Sequence, residues 1–328
     1  MNARLPAAGR RAHAAPTRSL PANGRRARAA TTLTLPAACR RACAATALTI
    51  AALLAGCGGD PGSDDTGQPA TMTQAGAPTA PATTTQPAAL PDAAAQTAAI
   101  DRFVRNGQPI YCGGGQLPLV ALTFDDGPGR YTPIVMRQLR DAGARATFFL
   151  VGRSVDRFPQ TPRTERELAA IGDHSMTHPN LATLSPAAAR AEIADGKAKA
   201  LEAAGEPVQL FRPPYGSRTK ALDREISSQG MAEILWDVDS TDSRITPPAD
   251  FHEISARVRR NTRPGSIVLM HENRGQTIRA MRAILPALKR RHLQLVTVPE
   301  LLAADPPSQA QLDKGRKGCK AGTADPRR

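Results

Sequence analysis

The sequence predicts an α/β fold built on a parallel sheet or barrel. Short apolar runs, typical of buried strands, alternate along the chain with stretches whose apolar residues recur at helical spacing. In such folds the functional side chains are expected at the carboxyl ends of the strands. The candidate strands are 119–124, 146–151, 208–212, 233–238, 265–270 and 293–297. The candidate helices are 133–142, 186–204, 219–229, 250–260 and 277–290.

Two of the candidate helices have sequence patterns that support their assignment. Ser185 precedes Pro186, which predicts an N-cap followed by proline at the first helical position. In 277–290 four apolar residues recur at helical spacing, which predicts that they face the core. They are Ile278, Met281, Leu285 and Leu288.

The formal net charge of +14 is unevenly distributed over the 328 residues. Residues 1–57 hold nine Arg and no acid, whereas 58–100 hold four Asp and no base. Removal of the first segment would therefore lower the charge of the chain considerably. Aromatic residues make up only 3% of the sequence, so basic-aromatic stripes typical of nucleic-acid surfaces are missing. We predict no nucleic-acid partner.

The segment 1–57 is interpreted as a leader. Within 5–49 a fifteen-residue unit occurs three times, and its Pro, Ala and Arg content cannot build a core. The last copy supplies Arg40-Arg41, followed by an apolar stretch too short to span a bilayer, as in a signal peptide. Leu54-Ala55-Gly56-Cys57 resembles the lipobox of bacterial lipoproteins, which implies cleavage before Cys57 and its lipidation. A chance small-residue cleavage site remains the alternative.

Three further segments follow the leader. Residues 58–100 are rich in Gly, Pro, Thr, Ala and Gln, which predicts a flexible tether. We assign 101–305 to a catalytic domain and 306–328 to a basic tail. Cys112 and Cys319 flank this domain, and in an exported protein we expect them to form a disulfide. Two free thiols are the alternative.

Asp125 and Asp126 follow the first apolar run, directly before Gly127-Pro128. This pattern predicts a buried strand that presents two adjacent carboxylates at its end. Such neighbours repel each other unless a cation or a proton intervenes. A solvated turn is the alternative interpretation.

His174 and His178 are four residues apart, a spacing that places two imidazoles on one face of a helical turn. Together with Asp126 they provide three ligands and leave one position open, which is typical of catalytic zinc sites. A histidine pair on the surface or in the core is the alternative.

Three later segments also carry candidate groups. In 211–216 two prolines stiffen the chain around Tyr215, whose N–H could stabilise an oxyanion, and Arg212 could pair with a carboxylate. Residues 236–242 end a strand and contain three acids, which are candidate functional groups. The alternative is a solvated loop that caps the next helix. His271 ends an apolar strand, where it could serve in catalysis or belong to the core.

Jointly these segments resemble the polysaccharide deacetylase family, the NodB-homology group of carbohydrate esterase family 4. The resemblance covers about residues 117–302, and 146–152 also resembles the second strand of the family. It implies a distorted (β/α) barrel of about seven parallel strands. The five motifs in order are TFDDGP (123–128), HSMTH (174–178), RPPY (212–215), DVDSTD (237–242) and LMH (269–271).

The resemblance also implies roles. Asp125 would be the general base, tuned by Arg212, and His271 the general acid, oriented by Asp239 or, as a second choice, Asp242. The Tyr215 N–H would join the metal in stabilising the oxyanion. The metal would be zinc, with cobalt or nickel as alternatives. Its ligands would be Asp126, His174 and His178, and the substrate groove would include Pro213, Tyr215 and Trp236.

Two departures from the family pattern concern the groove. Ser243 stands where the family usually has an aromatic residue, which puts sugar stacking in doubt, although Trp236 could substitute in part. Leu168-Ala169-Ala170 replaces a triplet resembling Gly-His-Glu, which implies a shortened turn. Neither departure changes a ligand, the base or the acid.

The predicted function is a metal-dependent hydrolase that removes N-acetyl groups from peptidoglycan or another N-acetylglucosamine polymer. O-acetyl xylan esterase activity and a catalytically silent glycan-binding lipoprotein are the alternatives. We expect an exported monomer, attached by a lipid to a bacterial membrane and facing the cell envelope, with a polysaccharide as its substrate.

Overall fold

The computed structural model describes residues 89–320. The predicted leader, Cys57 and most of the predicted tether lie outside these residues. Among the helices of residues 89–320, none combines the length and apolar character needed to cross a bilayer.

A parallel β-sheet forms the centre of the fold, as the sequence predicts. Seven strands pair in the order β5-β4-β3-β2-β1-β7-β6, and β8 pairs with the first residues of β1. Every strand pair in the described chain is parallel. The strands are β1 (Leu119–Gly127), β2 (Ala146–Leu150), β3 (Ala169–Asp173), β4 (Leu210–Phe211), β5 (Ala232–Glu233), β6 (Val238–Asp239), β7 (Ile267–His271) and β8 (Gln294–Val296).

Helices connect all consecutive strands except β5 and β6, and all five candidate helices are present. Ser185 caps the helix that begins at Pro186, and the four apolar residues expected to face the core from 277–290 are buried. The α-helices are α1 (Ala93–Asn106), α2 (Thr132–Ala142), α3 (Gly152–Arg157), α4 (Thr161–Arg166), α5 (Pro186–Ala204), α6 (Lys220–Ser228), α7 (Phe251–Asn261), α8 (Gly275–Arg290), α9 (Val298–Ala304) and α10 (Gln309–Asp313).

Strand alternation decides which side chains reach the functional site. In β1, Val120, Leu122 and Phe124 belong to the hydrophobic cluster that includes the packing faces of α2, α5, α7 and α8. The intervening residues Leu119 and Ala121 belong to a second cluster with α1 and α9. Because side chains alternate along a strand, Thr123 and Asp125 face this second, inner side.

The two ends of the strand path do not pair within the described chain, so the sheet is an open barrel. The segment before β1 fills the gap: Ile110 forms a bridge with Ile234, and Cys112 forms one with Ser266. Cys112 is also disulfide-bonded to Cys319, which confirms the predicted pairing.

Several elements differ from the sequence-based assignment, which also lacked the short helices α3, α4, α9 and α10. The strand β3 was not among the candidates, because the apolar run in Ala169–Asp173 is only three residues long and contains two alanines. The candidate strand 233–238 is interrupted and forms two short strands, β5 and β6. The helix α1 begins at Ala93, inside the predicted tether, so 93–100 belong to the folded domain.

Candidate metal-dependent active site

The end of β1 presents both aspartates to one site. Asp125 pairs with Phe149 of β2 and Gly127 pairs with Leu150, so Asp126 is an extra residue in the ladder. Asp126 has a φ of 70°, a left-handed conformation that non-glycine residues adopt only rarely. Such bulges re-aim side chains next to active sites. The bulge therefore allows neighbouring carboxylates, which would otherwise face opposite sides of the sheet, to share one cavity.

The two histidines come from a loop rather than from a helical turn, which corrects the sequence interpretation. Ser175 and His178 have φ values of 65° and 64°, so the backbone is not helical. The Asp173 carboxylate accepts the Ser175 N–H at 2.9 Å, and the Ser175 hydroxyl accepts the His178 N–H at 3.0 Å. These side-chain bonds compete with helix formation and fix the loop.

Close packing of α5 supports the same loop. A Cβ atom at Gly196 would lie 2.4 Å from Asp173 Oδ1 and 2.7 Å from the carbonyl carbon of Ser175. Only glycine therefore allows α5 to approach the loop this closely. The Asp173 carboxyl is fully buried, and burial raises its pKa well above the ordinary range.

Asp126, His174 and His178 form one possible metal-binding group, in which the candidate ligand atoms all lie within 4.8 Å of one another. Asp126 Oδ1 is 3.3 Å from His178 Nε2 and 3.8 Å from His174 Nε2. His174 Nδ1 lies 2.6 Å from the carbonyl oxygen of Arg212, so Nδ1 carries the proton and Nε2 has a free lone pair. The donor set fits a divalent transition metal ion such as zinc.

Arg212 holds Asp125 from the inner side of the barrel. Its side chain is completely buried, and Nη1 donates to Asp125 Oδ1 at 2.7 Å and to Thr123 Oγ1 at 2.8 Å. Nε and Nη2 donate to the carbonyls of Ile234 and Leu235. Burial lowers the Arg212 pKa, whereas the adjacent Asp125 carboxylate opposes this change. Asp125 Oδ2 remains outside this network, 3.7 Å from His174 Nε2.

His271 is oriented by Asp242, and not by Asp239 as preferred from the sequence. His271 Nδ1 lies 2.7 Å from Asp242 Oδ1, and the His271 backbone N–H donates to Oδ2 at 2.7 Å. The Thr277 hydroxyl also donates to Asp242 Oδ2. Asp239 instead accepts the Thr241 N–H at 2.7 Å, so it stabilises its own loop. The Asp242 contact leaves His271 Nε2 available to a substrate.

The charges of the site shift three pKa values. Burial alone would lower the pKa of His271, but Asp242, Asp125 and Asp126 outweigh burial and raise it to about 9. Burial would raise the pKa of Asp126, but His271, His174 and His178 outweigh it, and the pKa is below its ordinary value. Burial and the neighbouring His174 lower the pKa of His178, which favours the neutral, ligating imidazole.

The predicted groove residues lie at the same end of the barrel. Tyr215 is 69% exposed, and its ring packs edge-on against His178 with 4.7 Å between centroids. Pro213 is buried beside it, and among residues 89–320 the Tyr215 N–H has no hydrogen-bond acceptor. Trp236 is half-buried, because its ring contacts Gly216 and lies near the Arg212 guanidinium. Its role in sugar binding stays a prediction.

Sequence reasoning missed two residues that support the site. Asn273 donates its side-chain amide to Asp126 Oδ2 at 3.1 Å, which leaves Oδ1 facing both histidines. Thr123 lies two residues before Asp125 on the inner face of β1 and accepts from Arg212. The positions of both residues gave a signal: Thr123 lies on the same face of β1 as Asp125, and Asn273 lies two residues after His271, the last residue of β7.

Comparisons with known proteins come from sequence and structure. A family model described as polysaccharide deacetylase matches residues 114–234. A peptidoglycan-N-acetylglucosamine deacetylase of Bacillus cereus is 37% identical over 189 residues, which cover 56% of this chain and 88% of that protein. A chitooligosaccharide deacetylase of a Bradyrhizobium species is 33% identical over 199 residues, covering 56% and 90%.

A solved structure gives a second kind of comparison. The wild-type BA3943 protein of Bacillus anthracis, described as a pseudoenzyme of carbohydrate esterase family 4, superposes with a TM-score of 0.55. It is 31% identical, and the match covers 59% of this chain and 68% of that one. Because a pseudoenzyme shares this fold, activity has to be argued from the site residues and not from the fold.

Proposed function

Because the chain belongs to the polysaccharide deacetylase family, we propose that it removes N-acetyl groups from an N-acetylglucosamine-containing polysaccharide and releases acetate. A divalent metal ion, with zinc as the first candidate, would be held by Asp126, His174 and His178. The observation that carries the proposal is the convergence of this ligand group, Asp125 and His271 at one end of the barrel.

Each residue has a task that follows from its contacts. When bound, the metal ion supplies a Lewis acid for the charge that develops on the acetyl oxygen. Asp125, anchored through Oδ1 to Arg212, takes a proton from the attacking water at its other oxygen, Oδ2. The backbone N–H of Tyr215, which has no acceptor within residues 89–320, donates to the oxyanion. His271, held in place by Asp242, donates a proton from Nε2 to the leaving amine.

The relatives support an amino-sugar substrate. One is described as a peptidoglycan-N-acetylglucosamine deacetylase and the other as a chitooligosaccharide deacetylase. We place peptidoglycan first because the proposed membrane attachment would hold the domain beside the cell wall. An O-acetyl ester of xylan could be hydrolysed by the same groups. A silent glycan-binding role is the least supported alternative, because the base, the acid and all three ligands are present.

The decisive experiment measures acetate release by the purified chain. The substrates are peptidoglycan, N-acetylglucosamine oligomers and acetylated xylan, each with and without a chelator and with metal added back. We expect release from the first two, loss with chelator and recovery with metal. Acetate release from xylan alone would favour the esterase. Binding to the substrates without acetate release from any of them would support the catalytically silent glycan-binding role.

We also propose that the protein is exported and attached to a bacterial membrane through a lipid on Cys57. The support is the sequence Leu54-Ala55-Gly56-Cys57 after a short apolar stretch. The variant Cys57→Ala should move the protein from the membrane fraction to the soluble fraction, whereas Cys43→Ala should not. Retention of Cys57→Ala in membranes would contradict lipid attachment.

A further inference from the structure

The positive charge of the described chain is concentrated on one part of the fold. Residues 254–299, which include most of α7, all of β7 and α8, contain ten Lys or Arg and one acid, Glu272, which is fully buried. The other described residues contain 22 Lys or Arg and 24 Asp or Glu, and are therefore close to neutral. A segment this basic is where a site for an anionic partner is expected.

Four of these arginines surround one depression. It has a volume of about 420 Å³ and lies where the last turns of α7 and α8 pack together. Its floor contains Ala256 and Ala287, and its rim is the arginine cluster: Arg259, Arg260, Arg290 and Arg291. All four arginines are exposed. The volume of the depression exceeds that of a phosphate group, and the side chains that line it besides the arginines are the small ones of alanine.

No acid in the described chain neutralises this cluster by an ion pair. The acids that flank residues 254–299 in sequence are engaged elsewhere: Glu253 pairs with Arg244, and Glu300 pairs with Arg145. Cations near helix C-termini also stabilise the helix dipole, which is the simplest structural role for such residues. Arg291 fits that role, since it donates to the carbonyl of Arg259 at 2.9 Å. In the described chain the side chains of Arg259, Arg260 and Arg290 make no hydrogen bond.

The arginine cluster lies at the edge of the barrel opposite the active site. In this fold each helix runs antiparallel to the strands it connects, so its C-terminus lies at their N-terminal edge. Thus α7 ends at Asn261 just before β7 begins at Ile267, whereas His271 at the other end of β7 lies in the site. Likewise α8 ends at Arg290, just before β8 begins at Gln294. A partner bound at the cluster leaves the active site uncovered.

We propose that the arginine cluster docks on the headgroups of anionic phospholipids, with the catalytic edge of the barrel facing away from the bilayer. Guanidinium groups bind phosphate oxygens through two parallel hydrogen bonds, and each contributes to attraction by an anionic leaflet. A phosphate group fits the depression, and neighbouring headgroups reach the rim. The position of the cluster favours a surface over a substrate strand, because a substrate has to reach the opposite edge. The proposal does not depend on deacetylase activity.

The test is co-sedimentation of the full chain with phosphatidylcholine vesicles that contain or lack phosphatidylglycerol. All proteins carry Cys57→Ala, so that no lipid anchor contributes, and all retain the same arginine-rich leader. The test variant combines Arg259→Gln, Arg260→Gln and Arg290→Gln. The matched control combines Arg157→Gln, Arg163→Gln and Arg224→Gln, three exposed arginines outside the described ion pairs, so that both variants have the same net charge.

We expect the test variant to bind phosphatidylglycerol vesicles about a hundredfold more weakly than the parent, and the control only slightly more weakly. Equal losses in the two variants would show unspecific charge attraction and overturn the proposal. The proposal also fails if the parent binds soluble polyphosphate more tightly than the test variant does but neither protein binds vesicles. The partner would then be a soluble anionic polymer.

The single tryptophan reports the orientation independently. Trp236 lies at the active-site edge, next to Gly216 and Arg212. Docking through the arginine cluster should leave its fluorescence unquenched by brominated lipids in the vesicles. Strong quenching in the parent protein would place the active-site edge on the membrane and overturn the proposed orientation.

Discussion

Arg212 Nη1 lies 2.7 Å from Asp125 Oδ1, and both side chains are buried at the inner end of β1. The guanidinium cannot turn away, because its other nitrogens donate to the carbonyls of Ile234 and Leu235. One carboxylate oxygen of Asp125 is therefore occupied, and Oδ2 is the oxygen left for chemistry. In the proposed mechanism this pair gives the two adjacent aspartates separate tasks: Asp125 would be the base and Asp126 a metal ligand.

The substitution Asp125→Asn should reduce acetate release by roughly 10²–10⁴-fold, the usual contribution of general base catalysis. Asparagine preserves the shape of the side chain but cannot take the proton. It also leaves the buried Arg212 charge without its counter-ion, so a lower melting temperature is expected. Metal content should stay near that of the parent.

Asp141 is exposed, so Asp141→Asn serves as the matched control and should change neither acetate release nor the melting temperature. Near-full activity of Asp125→Asn, in a folded and metal-loaded protein, would show that Asp125 is not the base.

The substitution His174→Ala should abolish stoichiometric metal binding, because the lost imidazole is the ligand whose tautomer is fixed by the Arg212 carbonyl. Metal content after dialysis is the measurement. His252→Ala, at an exposed position on α7, should retain the metal. An unchanged metal content in His174→Ala would exclude this residue from the ligand set.

The substitution Asn273→Ala should weaken metal binding by about 10–100-fold, the usual effect of removing a group that orients a ligand. Its amide holds Asp126 Oδ2 and so directs Oδ1 towards both histidines. Competition with a chromophoric chelator measures the affinity without reference to activity. Asn106→Ala, at an exposed position at the end of α1, is the control. Equal affinities in the two variants would mean that Asp126 needs no support from Asn273.

The substitution Asp242→Asn should lower the pKa of His271, which burial tends to lower but Asp242 and the other carboxylates raise to about 9. The folded-state pKa exceeds the ordinary value of about 6.5, so protonated His271 with all three carboxylates around it stabilises the fold fully below that pH, and Asp242 supplies the largest share. This contribution disappears as the pH rises through about 9. It should be on the order of 3 kcal/mol, since one pKa unit corresponds to about 1.4 kcal/mol.

Two measurements check this expectation. The basic limb of the pH–rate profile should move to lower pH in Asp242→Asn, and the loss of stability should be larger near pH 6 than above pH 9. Asp239→Asn should leave the basic limb in place, because Asp239 contacts Thr241 and not His271. A shift in Asp239→Asn alone would restore the assignment preferred from the sequence.

The sequence predicts most of the fold because apolar runs and helical periodicity depend on local composition. It does not predict β3, since Ala169–Asp173 is held by its neighbours and by the packing of α5 through Gly196, a contact distant in sequence. The choice between Asp239 and Asp242 failed for a similar reason. Asp239 is the last residue of β6 and Asp242 lies three residues later, and Thr241, with a φ of 60°, turns the chain between them.

At the candidate site, too, the sequence did not predict what depends on contacts between specific side chains. Residue types and spacing were sufficient to select Asp126, His174 and His178 as candidate ligands, and the structure brings these three residues together. The loop conformation of His178 was not predictable, since it depends on the contacts of Asp173 and Ser175. Asn273 was missed because an amide that supports a carboxylate has no distinctive sequence pattern.

The disulfide between Cys112 and Cys319 gives the catalytic barrel an unusual topology. All eight strands lie between these cysteines, whose Cα atoms are 5.9 Å apart although 207 positions separate them in sequence. The barrel is therefore a covalent circle, with α1 attached outside it. A single backbone cut in any loop of this circle leaves one connected molecule, so the proposed base, acid and metal ligands stay tethered to one another after proteolytic nicking.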